Sequence, residues 1–461
     1  MRKMIRRIYR HRTTIIISLI RMILYIGLAL VFFGLMSIEN WPLRHASRTL
    51  GTTLFTYVML SGVMHSVYGG FAIGKKKNKP VISSMAMSTL VTDLATYLQL
   101  QIMNVNTNNN ARLVLFGVDF AYLILCFVIQ IVLIVFMVRI GNTVFFKLNR
   151  PRRSLLIVNH TTDSESIRRK INRFRLQWDI TEIIPFDAPD VSQKIWDNET
   201  IFLIDLPEEA QMVLLKTCYA MQKDAICKAQ LEDVMLSNAK QLIIDDAPFL
   251  SMDYRKITIG QRLVKRLTDI AVSGIVLIIF SPVMLLIALA IYLEDGAPII
   301  FRQKRMTVNG RVFEICKFRT MTHEASNAEK QQSAKEDDRR ITRVGHFLRR
   351  SRLDELPQLW NILRGDMTLV GPRPEMLENV EKYKQQLPAF VYREKMKAGL
   401  TGFAQIEGRY NTTPEDKLML DLMYIENYSL WLDVKLLLRT LTVFFKSDST
   451  AGFEDKNDNN S

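Results

Sequence analysis

Asp354 and Glu355 stand side by side in SRLDELPQLWNILRGDMTLVGPRPE, the stretch of this chain densest in groups able to do chemistry. Neighbours on a helix point about 100° apart, so two adjacent carboxylates share a proton poorly and suit separate tasks. One can attack an electrophile while the other holds a metal ion. An Asp-Glu pair by itself is common on solvated helices; its surroundings single this one out. Gly371-Pro372-Arg373-Pro374 follows, a stiff turn presenting one arginine, whose planar fork matches phosphate oxygens. Upstream, Lys317 in Lys317-Phe318-Arg319-Thr320-Met321 lies beyond an expected hairpin of 299–302 with 312–316. Carboxylates set beside cations fit a metal-assisted reaction at an anionic phosphate.

The elements that must position these residues carry a membrane signature. Immediately before the pair, 339–352 places Ile341, Val344 and Leu348 on one helical face, ringed by Arg339, Arg340, Arg343, Arg349, Arg350 and Arg352. Such a helix lies well in a headgroup layer; the alternative is a helix packed on the protein core with a solvated basic rim. Residues 322–338 read as a polar loop. Before them, 270–293 is an apolar run with Ser281-Pro282 in its middle, and proline removes a helix hydrogen bond and bends or breaks the helix. Basic residues flank the run on both sides: Lys256, Arg262, Lys265 and Arg266 before it, Arg302, Lys304 and Arg305 after it. A spanning helix puts one of these clusters on the wrong face. A re-entrant helix over about 267–294, turning at Ser281-Pro282 with the Ser281 hydroxyl satisfying a freed carbonyl, puts both on one face. Residues 429–446 read as a second apolar helix, and the tail from 448 as disordered.

The chain has 461 residues, room for two or three domains. Four apolar runs, at about 14–36, 49–73, 82–104 and 113–138, are each long enough to cross about 30 Å of hydrocarbon. Arg2, Lys3, Arg6, Arg7, Arg10 and Arg12 precede the first, and Lys75, Lys76, Lys77 and Lys79 lie between the second and third. Arg139, Lys147, Arg150, Arg152 and Arg153 follow the fourth. The positive-inside rule then places both ends of this bundle in the cytoplasm. Asp93 and Asp119 fall in or at the edge of the runs, as transport-path carboxylates or as polar helix-packing residues.

From 154 to about 250 the strand-like segments 154–159, 180–186, 200–206 and 240–246 alternate with helical ones, which predicts a small Rossmann-like parallel sheet. The turn His160-Thr161-Thr162-Asp163 lacks the Gly-x-Gly-x-x-Gly of a dinucleotide site. The formal charge of +15 comes without any nucleic-acid module, and the basic residues crowd beside apolar runs; anionic lipid and phosphate substrates are the expected partners, not nucleic acid. Cys126, Cys218, Cys227 and Cys316 have no paired spacing, so neither disulfides nor zinc are expected.

Residues 262 to about 445 resemble the bacterial sugar transferase family, the monotopic polyprenyl-phosphate phosphoglycosyl transferases. The resemblance rests on KRLTDIAVSG, FSPVMLL, GAPIIFRQKR, FEICKFRTM, RLDELPQLWNILRGDMTLVGPRP, GLTGFAQIEGR and LDLMYIENYSLWLD, in that order. It implies that Asp354 is the nucleophile, attacking the β-phosphorus of a UDP-sugar and expelling UMP to give a phosphosugar-aspartate. Undecaprenyl phosphate then takes the phosphosugar. Glu355 would bind Mg²⁺; Lys317, Arg373, Arg409 and Asp421 would bind the nucleotide sugar or order the site, with a structural ion pair as the other reading of Arg409 and Asp421. The re-entrant helix would anchor the domain on one leaflet.

The layout is that of long members that begin exopolysaccharide, capsule or O-antigen synthesis at the inner membrane, with the catalytic domain cytoplasmic. It divides into a four-helix transmembrane bundle (1–140), a Rossmann-like domain (141–255), an α/β catalytic domain with the re-entrant helix (256–447) and a tail (448–461). A homodimer and polysaccharide-assembly proteins are further expected partners. Two positions depart from the family pattern: Ala398, where proline is frequent before Gly-Leu-Thr-Gly, and Thr307, where glycine is common. The rival readings are a non-enzymatic transport or polymer-export component and a polytopic transferase with its acidic residues in loops between spans. The transferred sugar is not legible; galactose or glucose is expected.

Overall fold

A computed structural model describes residues 2–70, 72–74, 77–103, 117–252, 257–322, 338, 340–408 and 412–443, with backbone alone for 2–12, 14, 442 and 443. Lys75, Lys76, Lys256, Arg339 and Arg409, most of 322–338 and the tail from 448 lie outside them. Two compact units emerge, Met1–Ala229 and Gln230–Ser461. Five described helices are long and apolar enough to cross a membrane, and the chain is a membrane protein.

In the first unit, α1 (Arg2–Met36), α2 (Arg48–Tyr68), α3 (Asn78–Ile102) and α4 (Val118–Leu148) form the bundle. Ser47 caps α2, accepting the Leu50 N–H at 3.0 Å, and Gly69 ends it in the left-handed region. Ile17, Leu24, Leu28, Val81, Met85, Ile134 and Val138 fill one core layer. Asp93 and Asp119 are both buried against glutamines: Gln130 Nε2 donates to Asp93 at 3.5 Å and Gln101 Nε2 to Asp119 at 3.1 Å. These contacts favour the helix-packing reading of both carboxylates.

The same unit holds a four-stranded parallel sheet in the order β2-β1-β3-β4: β1 Arg152–Val158, β2 Trp178–Pro185, β3 Thr200–Ile204 and β4 Asp224–Cys227. Its fourth strand differs from the sequence expectation. The segment 240–246 does not join this sheet; Lys240–Ile244 (β5) pairs antiparallel with Ala247–Ser251 (β6) in an exposed hairpin of the second unit. Asp245, at φ 60°, makes the two-residue turn that a hairpin's twist requires, so the apolar run folds back on its own neighbour.

In the second unit, α9 (Ile259–Asp295) is one helix of 37 residues, following α5 to α8 of the chain (Ser164–Asn172, Val191–Asp197, Glu208–Ala220 and Leu231–Leu236). Thr258 and Gln261 form a capping box at its start. The expected break at Pro282 is not a gap: the helical backbone continues, and the Ser281 hydroxyl donates to the Ile278 carbonyl at 2.8 Å. That is the carbonyl Pro282, lacking an N–H, leaves unbonded.

Both ends of α9 are tied to the rest of the unit. Near its start, Asp269 accepts Thr368 Oγ1 (2.8 and 3.0 Å) and the Leu369 N–H (2.9 Å), and Arg266 donates to the Ile362 and Leu363 carbonyls. At its end, Arg319 donates to the Asp295 and Gly296 carbonyls, both at 2.8 Å, and Glu294 accepts the N–H groups of Arg343 and Val344. Between these anchors its outer face is bare, with Ile278, Leu285 and Leu293 each more than 70% exposed.

β7 (Ile300–Met306) and β8 (Val312–Phe318) form the expected hairpin. α10 (Arg343–Ser351) and α11 (Gln358–Arg364) follow, then β9 (Thr368–Val370) paired parallel with β10 (Gly399–Thr401). α12 (Leu377–Gln386), α13 (Phe403–Glu407), α14 (Pro414–Glu426) and α15 (Leu430–Val443) complete the unit around Leu359, Ile362, Met367, Leu369, Ile406 and Tyr424.

Candidate active site

Asp354 and Glu355 lie in a short 3-10 turn, Leu353–Glu355, between α10 and α11. Three local features place that turn. Thr342 caps α10, accepting the Gly345 N–H at 2.9 Å. Gly345 lets the helix press on the strand exit: a side chain there would meet the Thr320 carbonyl at 2.1 Å. Arg352, at φ 55°, then turns the chain out of α10 in the left-handed region, a conformation that costs about 1 kcal/mol for a non-glycine residue.

β8 brings up Lys317, whose Nζ donates to Glu355 Oε1 at 2.9 Å. Asn361 locks α11 to this strand, accepting the Cys316 N–H (2.9 Å) and donating to the Glu314 carbonyl (2.7 Å). Arg373 is exposed on its turn, and its charge bears on Glu355.

The two carboxylates differ electrostatically. Burial, and then the neighbouring Glu355 charge, push Asp354 up to about 6, against Lys317 and Arg349. Burial acts on Glu355 in the same sense, but Lys317, Arg373 and Arg352 overcome it and hold its carboxyl far below the usual range. Glu355 is thus a fixed anion, and Asp354 an anion of raised basicity at neutral pH.

Mg²⁺ fits this donor set. Glu355 is an ionised hard-oxygen ligand, and the described residues hold no cluster of three or more His, Cys, Asp or Glu. Mg²⁺ takes one or two carboxylates and completes its shell with water and substrate phosphate oxygens, so a dedicated cage is not required.

The site residues named from sequence separate in space. Lys317, Asp354, Glu355 and Arg373 come together. Asp421 does not face them openly: it is 1% exposed and accepts Arg393 Nε (2.9 Å) and Nη2 (2.6 Å). Arg409 lies outside the described residues. Ser281 and Pro282 sit in the exposed middle of α9.

Sequence reasoning passed over Arg393 and Glu375 and named Arg305 and Arg349 only as basic flanks of apolar segments. Arg349 donates to Thr320 Oγ1 at 2.9 Å, and the buried Glu375 pairs with Lys417 at 3.3 Å. The PRPE run and the arginines beside the Asp-Glu pair were visible signals; Arg393 had none. The two departures from the family pattern meet each other: Thr307 Oγ1 accepts the buried Ala398 N–H at 3.0 Å. A proline at 398 has no N–H to satisfy, so the hydroxyl at 307 and the amide at 398 compensate.

A carboxylate pair among cationic side chains, in a unit with a bare apolar helix, marks a membrane protein with a charged candidate site. Residues 260–447 match the family described as bacterial sugar transferase. A UDP-glucose:undecaprenyl-phosphate glucose-1-phosphate transferase of Caulobacter vibrioides is 37% identical over 235 residues, 49% of this chain and 84% of that protein. A protein of the same name from Klebsiella pneumoniae is 43% identical over 185 residues, 39% of each chain. A UDP-N-acetylgalactosamine-undecaprenyl-phosphate N-acetylgalactosaminephosphotransferase of Aeromonas hydrophila is 41% identical over 183 residues, 39% of this chain and 43% of that one. The match thus spans about two fifths of the Klebsiella and Aeromonas proteins. The chain belongs to the bacterial sugar transferase family.

Proposed function

We propose that this protein transfers a sugar-1-phosphate, glucose or galactose, from a UDP-sugar to undecaprenyl phosphate at the cytoplasmic face of a bacterial inner membrane. The observation that carries this reading is the pairing of a raised, half-buried Asp354 with a fixed Glu355 anion among Lys317, Arg352 and Arg373. An Asp354 carboxylate oxygen attacks the donor's β-phosphorus, and the phosphoanhydride bond to UMP breaks, with UMP leaving. The phosphosugar is then an acyl phosphate on Asp354. A phosphate oxygen of undecaprenyl phosphate attacks the same phosphorus, the bond to Asp354 breaks, and the carboxylate is restored. Lys317 and Arg373 hold the diphosphate, and Arg373's fork suits two of its oxygens. Glu355 would hold Mg²⁺, which neutralises the diphosphate when bound.

The anchoring of both α9 ends to one folded unit supports a re-entrant helix. A spanning helix puts its two ends on opposite sides of about 30 Å of hydrocarbon, whereas Asp269 and Glu294 both bind backbone groups of one folded unit. On this reading α9 lies in one leaflet, Pro282 marks its deepest point, and the flanking arginines stay at the headgroups.

The test is UMP release from UDP-glucose, UDP-galactose and UDP-N-acetylgalactosamine, using membranes supplied with undecaprenyl phosphate and Mg²⁺. One donor is expected to dominate, and Asp354→Asn to lower its turnover at least about 1000-fold, as losses of covalent nucleophiles do. Normal UMP release by Asp354→Asn refutes the nucleophile assignment. No release from any donor by the wild type refutes the transferase reading.

A further inference from the structure

The Gly371–Glu375 turn is held at one N–H and four carbonyls. The Gly371 N–H donates to the Thr401 carbonyl and the Pro372 carbonyl accepts the Gly399 N–H, both at 2.8 Å. The Arg373 carbonyl accepts Arg393 Nη2 at 2.6 Å, the Pro374 carbonyl accepts Arg305 Nη1 at 3.2 Å, and the Glu375 carbonyl accepts the Met306 N–H at 3.5 Å. Four successive carbonyls are therefore fixed, while the Arg373 side chain stays exposed.

Two of these restraints are guanidinium groups, Arg393 buried and Arg305 half-buried, an expensive way to hold a carbonyl. Arg393 is 6% exposed and Asp421 1%. Arg393 lies over the Phe390 ring, its guanidinium carbon 4.8 Å from the ring centre, and one nitrogen, Nη2, donates both to Asp421 and to the Arg373 carbonyl. A buried ion pair adds little net stability over apolar residues of the same volume, because desolvation offsets the attraction. Its geometry is what distinguishes it: a planar fork anchored on a carboxylate with a remaining N–H aimed at a backbone oxygen.

We propose that Arg393 and Asp421 are positioning residues for Arg373: the buried pair fixes the backbone from which the Arg373 guanidinium reaches the donor diphosphate. The proposal rests on the functional reading above. It gives Asp421 a role through Arg393 rather than through the ligand. Lysine at 393 keeps the charge but not the fork, so Arg393→Lys perturbs geometry while leaving the electrostatic field of the site nearly unchanged.

The test is a double-mutant cycle on the full-length protein in nanodiscs, with UDP and Mg²⁺ as probe and the binding constant as readout. Arg373→Ala is expected to weaken UDP binding about tenfold and Arg393→Lys about fivefold. The double variant is expected to bind about tenfold weaker rather than about fiftyfold, because both changes act through one contact. Melting curves establish that each variant is folded. If Arg393→Lys does not fold, Arg305→Lys, which loosens the Pro374 carbonyl without stranding Asp421, takes its place in the same cycle. Losses that multiply, or a folded position-393 or position-305 variant binding UDP as tightly as the wild type, overturn the proposal and leave the functional reading intact. Wild-type protein that does not bind UDP overturns both.

Discussion

At the scale of single residues, the environment shifts two adjacent carboxylates in opposite directions. Asp354 moves from its ordinary 3.8 up to about 6 because it is half-buried beside an anion, so it is ionised above that pH and protonated below. UMP release should therefore fall about tenfold per pH unit below about 6 and be flat above it, whereas Glu355 stays ionised throughout; a pH–rate profile of the dominant donor checks this. Stability should run the other way. Between about pH 4 and 6 the unfolded chain has lost the Asp354 proton and the folded one keeps it, so stability declines as pH rises through that window. Asp354→Asn is then expected to be more stable than the wild type at pH 7, by about 1–2 kcal/mol after allowing for partial exposure; melting in parallel with the activity assay decides it. The residues themselves were legible in the sequence, because Asp-Glu, Lys-Phe-Arg and Gly-Pro-Arg-Pro are short local motifs. Arg393 was not, because its significance comes from a carbonyl 20 residues upstream and a carboxylate 28 residues downstream.

At the scale of elements, α9 is the piece on which the membrane reading turns. Hydropathy alone describes a span, and the continuous helix agrees with hydropathy. On the proposed re-entrant reading, the bonds of Asp269 and Glu294 to backbone groups of one unit keep both ends of the helix on one face. Leu356, three residues from the start of its turn, packs against the clusters at both ends of the helix. A tag placed after Ser461 and one placed before Met1 should accordingly report the same, cytoplasmic, face. Access to the Ser461 tag from the periplasm, with the Met1 tag protected, refutes re-entrance. The strand pairing that sequence misassigned, β5 with β6, has a plain cause. A run of apolar residues looks the same whether it is central in a parallel sheet or one arm of a hairpin, and only the left-handed Asp245 turn decides between them.

At the scale of the whole molecule, the family match is confined to 260–447, while the compact second unit begins at Gln230. Part of the stretch between them packs on this unit. α8 buries Val234 with Val380, Phe390, Leu418 and Leu422, and Asn238 donates to the Glu426 carbonyl at 2.7 Å. A chain beginning at Gln230 is expected to be about 2 kcal/mol more stable than one beginning at Ile257, the worth of burying a valine and part of Leu231. Denaturant melts of the two in the same detergent provide the check, and equal midpoints refute it.

The sequence by itself determined which residues could do chemistry, which stretches are apolar enough for a membrane, and which family the catalytic part belongs to. Each of these is carried by residue type over a short window. Tertiary structure decided what no window contains. It paired Lys317 with Glu355 across 38 residues, set Thr307 against the Ala398 amide across 91, and bound Arg393 to the turn that presents Arg373. The physical reason is common to all three: a buried polar group must find its partner wherever the chain brings one, and sequence distance does not enter that requirement.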